Sequence, residues 1–353
     1  LPNYLVQSIS QNPEPGKVNG GFHDGALLFA DVSGFTAMSE KMSVLGKEGA
    51  EEVTGIVNNY FAAMLEINGH FGGDLLKFGG DALLIFFEGE VGSYRALATG
   101  SAMMDAMSAF EAVRTSQGVF PLRMKIGMAY GPVFLASLGT PQSMDHAVMG
   151  STLFNLAQAE SNALSGEIVV HRSMQAVTGD TARYSPVTQG FWKLEELHET
   201  VTIPQEDKGI KSAVQDAGSN RDFLVQNLLG EADMIGGMRP YVPEELFVHI
   251  IHEPQRIAVY GSHRPVTISF TNILGINEII DALGPDNQDS ITAILNSHFV
   301  SMSEVINRFG GTVNRLDAYS VGHRILGLFG ALQAHDDDPC RAVQAALEMN
   351  KTL

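Results

Sequence analysis

The chain alternates between short apolar runs and longer amphipathic stretches, and this alternation predicts strands and helices in a regular order. An apolar run at 26–30 ends in Asp31 and a glycine follows, which predicts a strand that leads through a tight loop into a helix. Apolar side chains recur at helical spacing between residues 39 and 68, with a break near 46–49. We therefore expect one or two helices there, packed by an apolar stripe against a sheet.

The next elements are predicted as two hairpins separated by a helix. Two apolar runs flank Gly79-Gly80-Asp81, which predicts a strand, a tight turn and a returning strand. A helix is expected at 91–113, then a second hairpin over 122–136 with its turn at 130–132. A further helix and a short strand at 167–170 complete the pattern. The order indicates an α+β fold with a ferredoxin-like βαββαβ arrangement and additions.

The second half of the chain repeats features of the first half. Residues 265–275 parallel the strand and loop around Asp31, and residues 309–316 parallel residues 71–78. Two motifs that recur in the same order at nearly equal spacing indicate a duplication of domain size. We therefore predict two tandem copies of the fold, the second incomplete at residue 353. The expected parts are an irregular lead-in (1–24), a first domain (25–200), a connector (201–262) and a second, degenerate domain (263–353).

The two copies differ in their acidic residues. Asn272 stands at the position of Asp31, and a count without gaps from the double glycine puts Tyr319 at the position of Asp81. An amide and a phenol cannot replace two anionic metal ligands. The second copy is therefore expected to keep the fold and to lack the carboxylate pair.

Composition and charge narrow the classes of partner. The chain has 353 residues, with 22 Lys and Arg against 40 Asp and Glu, a formal net charge of −18. This charge repels phosphate backbones, so we expect no nucleic-acid partner. The single cysteine, Cys340, allows no internal disulfide and fits a reducing cytoplasm. We find neither a signal peptide nor an apolar run of about 18 residues, so no transmembrane segment is expected.

The candidate chemistry lies in the two acidic motifs of the first copy. Asp31 and Asp81 end adjacent predicted strands, and paired carboxylates suit a pair of hard divalent cations. The loop Ser33-Gly34-Phe35-Thr36 leads into a helix, so its amide groups can face a triphosphate. Lys77 stands four residues before Asp81 on the same predicted strand, which places both side chains on one face. A single aspartate before a glycine is usually a turn residue; the pair with its lysine is more specific.

These motifs, at 29–36 and 71–87, resemble the catalytic domain of class III nucleotidyl cyclases, in the tandem arrangement of the soluble adenylyl cyclases. The resemblance implies that Asp31 and Asp81 bind two Mg²⁺ ions, or Mn²⁺ in their place, with the backbone carbonyl of Val32 as a third ligand. It also implies that Lys77 reads the adenine ring, which favours ATP. The implied reaction converts ATP to 3',5'-cyclic AMP and pyrophosphate between two paired domains, in intracellular signalling.

This sequence departs from the family pattern at three positions after Gly150. The family has an asparagine and an arginine four and eight residues after this glycine, where this chain has Phe154 and Gln158, although Asn155 is adjacent. Some relatives bind bicarbonate through an arginine at the position of Ala157. We therefore expect one competent site between complementary copies, and no bicarbonate control. Relatives often continue into an ATPase module and helical repeats, which are expected beyond this chain.

Two alternatives to an adenylyl cyclase stay open. One is a catalytically weak nucleotide or bicarbonate sensor that keeps the fold and regulates an attached effector; Phe154 and Gln158 favour it, and the intact carboxylate pair opposes it. The other is an enzyme similar to diguanylate cyclases. That class requires an acidic Gly-Gly-Glu/Asp-Glu-Phe type of signature on the hairpin, and residues 79–83 do not have it.

Overall fold

A computed structural model describes residues 1–198, 221–243, 265–319 and 322–352, together with the single positions 247, 248, 250 and 252. The elements up to residue 198 are α1 (Asn3–Gln11), β1 (Asn19–Ser33), α2 (Phe35–Ser43), α3 (Lys47–Phe71), β2 (Asp74–Gly79), β3 (Ala82–Glu88), α4 (Gly89–Ala106), β4 (Val113–Thr115), β5 (Gly118–Phe120), β6 (Arg123–Thr140), β7 (Ser143–Met149), α5 (Ser151–Ser161), β8 (Ile168–His171), α6 (Arg172–Thr178), β9 (Ala182–Thr188) and β10 (Phe191–Leu197). The later elements are α7 (Arg221–Met238), β11 (Thr267–Ile273), α8 (Ile276–Leu283), α9 (Gln288–Arg308), β12 (Gly311–Tyr319), β13 (Gly322–Phe329) and α10 (Asp338–Thr352).

The first domain is built on one sheet with β1 near its centre. The strand order is β2-β3-β1-β6-β8-β10-β9, and β7 pairs with β6. Strand β1 pairs with β3 on one side and with β6 along its whole length on the other, both antiparallel. Strand β1 is apolar and buried over residues 25–28 because helices cover the sheet there. The predicted α+β class is confirmed, and β2-β3-β1-β6 has the ferredoxin-like order.

The predicted hairpin over 122–136 is wrong. Residues 123–140 form the single strand β6, which runs through Gly131-Pro132 without turning. On the edge away from β1, β6 pairs with β8 at residues 126–128 and with β7 at residues 134–140. The Gly-Pro pair falls between these two partners, where proline removes no ladder bond to either one. The helix expected at 91–113 ends earlier, with α4 at Ala106 and a 3₁₀ turn after it.

The lead-in expected to be irregular contains helix α1, and β1 already begins at Asn19. Leu5 and Ile9 are buried one helical turn apart and give α1 its apolar face. The carboxylate of Asp74 accepts hydrogen bonds from the backbone amides of Asn3 (2.6 Å) and Tyr4 (2.8 Å). A side chain from the start of β2 therefore caps the helix N-terminus, a long-range contact that local sequence patterns do not show.

The elements after residue 265 follow the order of those at the start of the first domain. The order is strand, two helices, two strands and a helix, and the sheet order β11-β13-β12 corresponds to β1-β3-β2. Both hairpins carry a register shift at the same place, just before Lys77 in β2 and just before Arg315 in β12. These features support the predicted duplication. Whether this part is a second cyclase domain remains a proposal.

The position assigned to Tyr319 needs correction. In the first hairpin Gly79 pairs with Ala82, so Asp81 lies in the turn. In the second hairpin Tyr319 itself pairs with Gly322 and lies inside β12. The later hairpin has longer strands, and a count without gaps therefore does not bring Tyr319 to the turn position.

The first domain and the elements at 267–352, which we call the second part, share a packed interface. Helix α9 lies against β1 and β6, and Phe134 joins Leu295 and Phe299 in one apolar cluster. Polar contacts flank this cluster: the backbone amide of Gly139 donates to the side chain of Asn296 over 2.7 Å. This packing fixes the second part against strands β1 and β6, and β12 contacts β7 beside them.

The described residues do not test the predicted connector or the predicted bounds of the domains. Most of the connector expected at 201–262 lies outside them, apart from α7 and a short segment after it. The bounds of the four expected parts remain predictions. Among the helices of the described ranges, none combines the length and apolarity needed to cross a bilayer.

Candidate active site

Asp31 lies near the C-terminal end of β1, at the edge of the first domain's core. It faces Lys125 of β6 in the strand register. The pKa of Asp31 is raised to about 6, first by burial and then by the charges of Glu160 and Asp81, while Lys125 and a hydrogen bond from the backbone amide of Val32 oppose the rise. A carboxylate with a raised pKa has too little positive charge around it to stabilise its ionised form. Carboxylates that bind cations have this kind of environment before the cation binds.

Asp81 lies in the two-residue turn between β2 and β3. Gly80 precedes it with φ of 77°, a left-handed conformation that glycine adopts without strain. The predicted strand, tight turn and returning strand are confirmed here. The charge of Asp81 reaches Asp31, since it raises the pKa of that carboxyl group. Ala30 of β1 pairs with Leu83 of β3, so the turn that contains Asp81 lies at the same end of the sheet as Asp31.

The loop between Asp31 and α2 depends on Gly34. This residue has φ of 110°, and a Cβ atom there would lie 2.5 Å from the carbonyl oxygen of Pro121. Helix α2 begins at Phe35, so its free amide groups open beside Asp31. The Phe35 side chain is buried, whereas Ser33 and Thr36 are exposed. The phosphate-binding role predicted for residues 33–36 thus rests on backbone amides and two hydroxyl groups, and it remains a prediction.

Lys77 faces the second part of the structure. Its ammonium group donates to the carbonyl oxygen of Leu316 in β12 and lies 3.7 Å from the carboxylate of Asp145 in β7. The side chain is only 8% exposed. The expectation that Lys77 and Asp81 share one strand is wrong, because Asp81 lies in the turn after β2. The adenine-reading role of Lys77 remains a prediction, and it requires the release of these contacts.

Two charged residues beside Asp31 were missed from the sequence. Lys125 pairs with Glu160 of α5 over 2.6 Å, next to Asp31. Gly127 makes this pair possible, because a Cβ atom there would lie 2.4 Å from the backbone nitrogen of Glu160. The signal for Lys125 was its position in β6, directly before the apolar run that begins at Ile126. Glu160 gave no such signal, since a glutamate on an amphipathic helix is ordinarily solvated.

Helix α5 carries the positions at which the family pattern is not met. Phe154 is 45% exposed, and Asn155 is partly buried beside it. Gln158 lines an open cavity together with Arg172 and Trp192. The helix therefore presents an aromatic ring and amides where the resemblance implied an asparagine and an arginine.

The donor set fits hard divalent cations. It offers two carboxylates, one with a raised pKa, and the hydroxyl of the buried Tyr60 has no hydrogen-bond partner although it lies within the electrostatic reach of both. Oxygen-only donors are what Mg²⁺ and Mn²⁺ prefer. Within the described ranges no group of three or more histidine, cysteine or acidic side chains has metal-binding geometry. Any ion here must therefore complete its shell with backbone, solvent or substrate oxygens.

The α+β domain carries two aspartates at neighbouring positions, Asp31 near the end of β1 and Asp81 in the turn between β2 and β3. Residues 20–199 match the family described as the adenylate and guanylate cyclase catalytic domain. The chain belongs to this family, the class III nucleotidyl cyclases.

Similar proteins span different shares of the chain. Adenylate cyclase type 10 of Rattus norvegicus is 26% identical over 362 residues, which cover 99% of this chain and 22% of that protein. Adenylate cyclase of Anabaena cylindrica is 28% identical over 161 residues, covering 43% of this chain and 30% of that protein. The solved adenylyl cyclase CyaB from P. aeruginosa covers 50% of this chain and 96% of its own, with 22% identity and a TM-score of 0.43. The chain thus spans about a fifth of the type 10 relatives' length.

Proposed function

We propose that this protein is an adenylyl cyclase that converts ATP to 3',5'-cyclic AMP and pyrophosphate at a site built on Asp31 and Asp81. The observation that carries the proposal is the strand register: Ala30 pairs with Leu83, so Asp31 and the hairpin turn that contains Asp81 lie at the same end of neighbouring strands. The relatives named adenylate cyclase, and the type 10 proteins that align over nearly the whole chain, support the choice of reaction.

The reaction joins the ribose 3'-oxygen to the α-phosphorus and breaks the bond from that phosphorus to the pyrophosphate oxygen, while the proton of the 3'-hydroxyl passes to solvent. Two Mg²⁺ ions, or Mn²⁺, when bound would make the 3'-oxygen more acidic and neutralise the leaving pyrophosphate. Asp31, Asp81 and the carbonyl of Val32 would hold them. The amide groups at the start of α2 orient the triphosphate, and Lys125 adds positive charge beside it.

The two copies are proposed to complement each other. The first supplies the carboxylates but has Phe154 and Gln158 on α5, so it brings no cationic donor for the migrating phosphate from that helix. Such a donor is worth several orders of magnitude in rate. In this proposal the second domain supplies it, and the 353 residues alone turn over ATP barely or not at all. A cytoplasmic location, a signalling role and further C-terminal domains belong to the same proposal.

A second candidate is a nucleotide sensor without substantial turnover. Two observations favour it: the side chains at 154 and 158, and the engagement of Lys77 by Asp145 and β12. Bicarbonate is not favoured as its ligand, since Ala157 offers no cation. The two candidates predict the same metal and nucleotide binding but different chemistry.

The deciding experiment measures nucleotide binding and cyclic nucleotide formation in the same preparations. The purified chain is titrated with ATP and GTP in Mg²⁺ and Mn²⁺, and cyclic AMP and cyclic GMP are quantified over a range of protein concentrations, with and without a complete second domain in trans. The proposal expects cyclic AMP to form once the second domain is added, and not with Asp31→Ala or Asp81→Ala. Binding without any cyclic product supports the sensor, and an absence of metal-dependent binding overturns both.

A further inference from the structure

Tyr60 lies on α3 with its ring against Phe35 at the start of α2, and it has an unusual environment. Its side chain is fully buried, at 0% exposure, and its hydroxyl oxygen makes no hydrogen bond. Buried hydroxyl groups in folded proteins nearly always have a partner, so an orphaned one marks a place where a partner is expected in another state. The apolar stripe of α3 predicts only a core position for this residue. A core position explains the buried ring but does not explain why the ring carries a hydroxyl group.

The ring of Tyr60 joins the two segments that carry the aspartates. It packs edge-on against Phe35, four residues after Asp31, with ring centres 5.6 Å apart. On its other side it contacts Phe61 at 5.2 Å, and Phe61 contacts Phe78 at 5.1 Å. Phe78 stands three residues before Asp81. One chain of aromatic contacts thus runs from the loop after β1 through Tyr60 to the hairpin.

The acidic groups whose charges act on the Tyr60 hydroxyl are those of the proposed site. Burial raises the pKa of Tyr60 most, and the charges of Asp81 and then Asp31 raise it further. The phenol is therefore held as a neutral O–H donor in the electrostatic field of both carboxylates, of which Asp31 accepts a hydrogen bond from the backbone amide of Val32. Carboxylates that ligate metals are themselves hydrogen-bonded as a rule, and these bonds orient the ligand oxygens.

We propose that Tyr60 is a positioning residue of the carboxylate site: its ring fixes the two aspartate segments relative to each other, and its hydroxyl donates to the Asp81 carboxylate when divalent cations are bound. This inference rests on the proposed function and adds to it a residue outside both acidic motifs. The hydroxyl is then unpaired only in the metal-free protein, and binding gives it a partner.

The test compares Tyr60→Phe with wild type in two measurements. Mn²⁺ binding is followed by electron paramagnetic resonance in the presence of 3'-deoxy-ATP, which lacks the attacking hydroxyl. The unfolding temperature is measured in chelator. We expect the Mn²⁺ affinity of Tyr60→Phe to fall by about tenfold, the usual effect of losing such a bond. We expect its metal-free unfolding temperature to stay equal or rise, because the substitution removes an unpaired buried hydroxyl and keeps the ring.

Tyr4→Phe is the matched control. The Tyr4 hydroxyl is also buried without a partner, but its acidic neighbours are Asp74 and Asp145. This variant should match Tyr60→Phe in the metal-free measurement and keep the wild-type Mn²⁺ affinity. If Tyr60→Phe fails to fold, the near-ultraviolet tyrosine spectrum of the wild-type protein tests the same inference. Addition of Mn²⁺ should change the signal of a buried tyrosine in wild type, and Asp81→Asn should abolish that change.

Three outcomes overturn the inference in distinguishable ways. Equal Mn²⁺ affinity in Tyr60→Phe and wild type shows that Tyr60 only packs, and leaves the proposed function intact. An equal loss of affinity in Tyr4→Phe shows that the effect is not local to the carboxylates. A wild-type protein that binds no Mn²⁺ with the nucleotide removes the proposed function and the inference together.

Discussion

The ammonium nitrogen of Lys77 lies 3.7 Å from a carboxylate oxygen of Asp145, and the pair binds one residue of the second sheet from both sides. Lys77 donates to the carbonyl oxygen of Leu316, and the other oxygen of Asp145 accepts from the Leu316 amide over 2.5 Å. Strand β12 is at the edge of its sheet, so these side chains satisfy backbone groups that no neighbouring strand reaches. The pair therefore holds the two parts of the structure together.

Breaking this pair should destabilise the protein. The two side chains are only 8% and 18% exposed, so Lys77→Met leaves Asp145 buried without its cation and should lower the free energy of unfolding by about 3 kcal/mol. Chemical denaturation measures the loss. Arg183→Met is the control, because Arg183 and Glu196 form an exposed pair whose loss should cost less than about 1 kcal/mol. Equal losses in the two variants would show that the buried pair contributes nothing special.

The base-reading prediction for Lys77 needs a different measurement. Lysine can donate to adenine N1, whereas guanine N1–H is itself a donor. If Lys77 reads the base, Lys77→Glu should lower the preference for ATP over GTP in a competition assay and leave triphosphate binding largely intact. Lys17→Glu, at an exposed lysine between α1 and β1, controls for the added negative charge. An unchanged preference would leave Lys77 with a docking role only.

Local patterns were enough for most of the first domain. The strand before Asp31, the helix pair broken near Gly46 and the hairpin around Gly80 follow from periodicity and from glycine positions. Two errors came from contacts that are distant in sequence. Gly131-Pro132 has the composition of a turn, yet β6 continues there because it changes partner from β8 to β7. Helix α1 exists because Asp74, far along the chain, caps it.

The site was predicted less completely than the fold. Asp31 and Asp81 stand in short motifs, so their types and spacing identify them. Lys125, Glu160 and Tyr60 come from three separate elements, and only packing brings them to the end of β1. Their approach depends on close contacts such as that of Gly127 with α5, which one sequence does not reveal.

The raised pKa of Asp31 predicts the pH dependence of the metal-free protein. The folded pKa of about 6 exceeds the ordinary 3.8, so the folded state holds the proton more tightly and stability falls as pH rises from about 4 to about 6. Asp31→Asn removes this loss and should be more stable than wild type by about 1 kcal/mol at pH 7, a value reduced because the group is half exposed. Urea denaturation in chelator at several pH values measures the difference. A constant difference at all pH values would contradict the assignment.

Gly127→Ala tests the close packing of α5 on β6. The added Cβ would lie 2.4 Å from the backbone nitrogen of Glu160, so the helix must move and carry Glu160 away from Lys125. We expect a loss of about 2 kcal/mol in unfolding free energy. Gly55→Ala in α3 is the matched control, since a Cβ there meets no atom within 4 Å, and it should stabilise by about 0.5 kcal/mol. Comparable stability of the two variants would show that α5 accommodates the methyl group.

The most direct measurement for the carboxylate site is Mn²⁺ binding in the presence of 3'-deoxy-ATP, in wild type and in the double variant Asp31→Asn, Asp81→Asn. Exposed Asp105→Asn serves as the charge control. We expect wild type and Asp105→Asn to bind Mn²⁺ with the nucleotide, and the double variant to lose at least about tenfold in affinity, because neutral amides replace both anionic ligands. Equal Mn²⁺ affinity in all three proteins would contradict a metal site at Asp31 and Asp81, and with it the proposed cyclase.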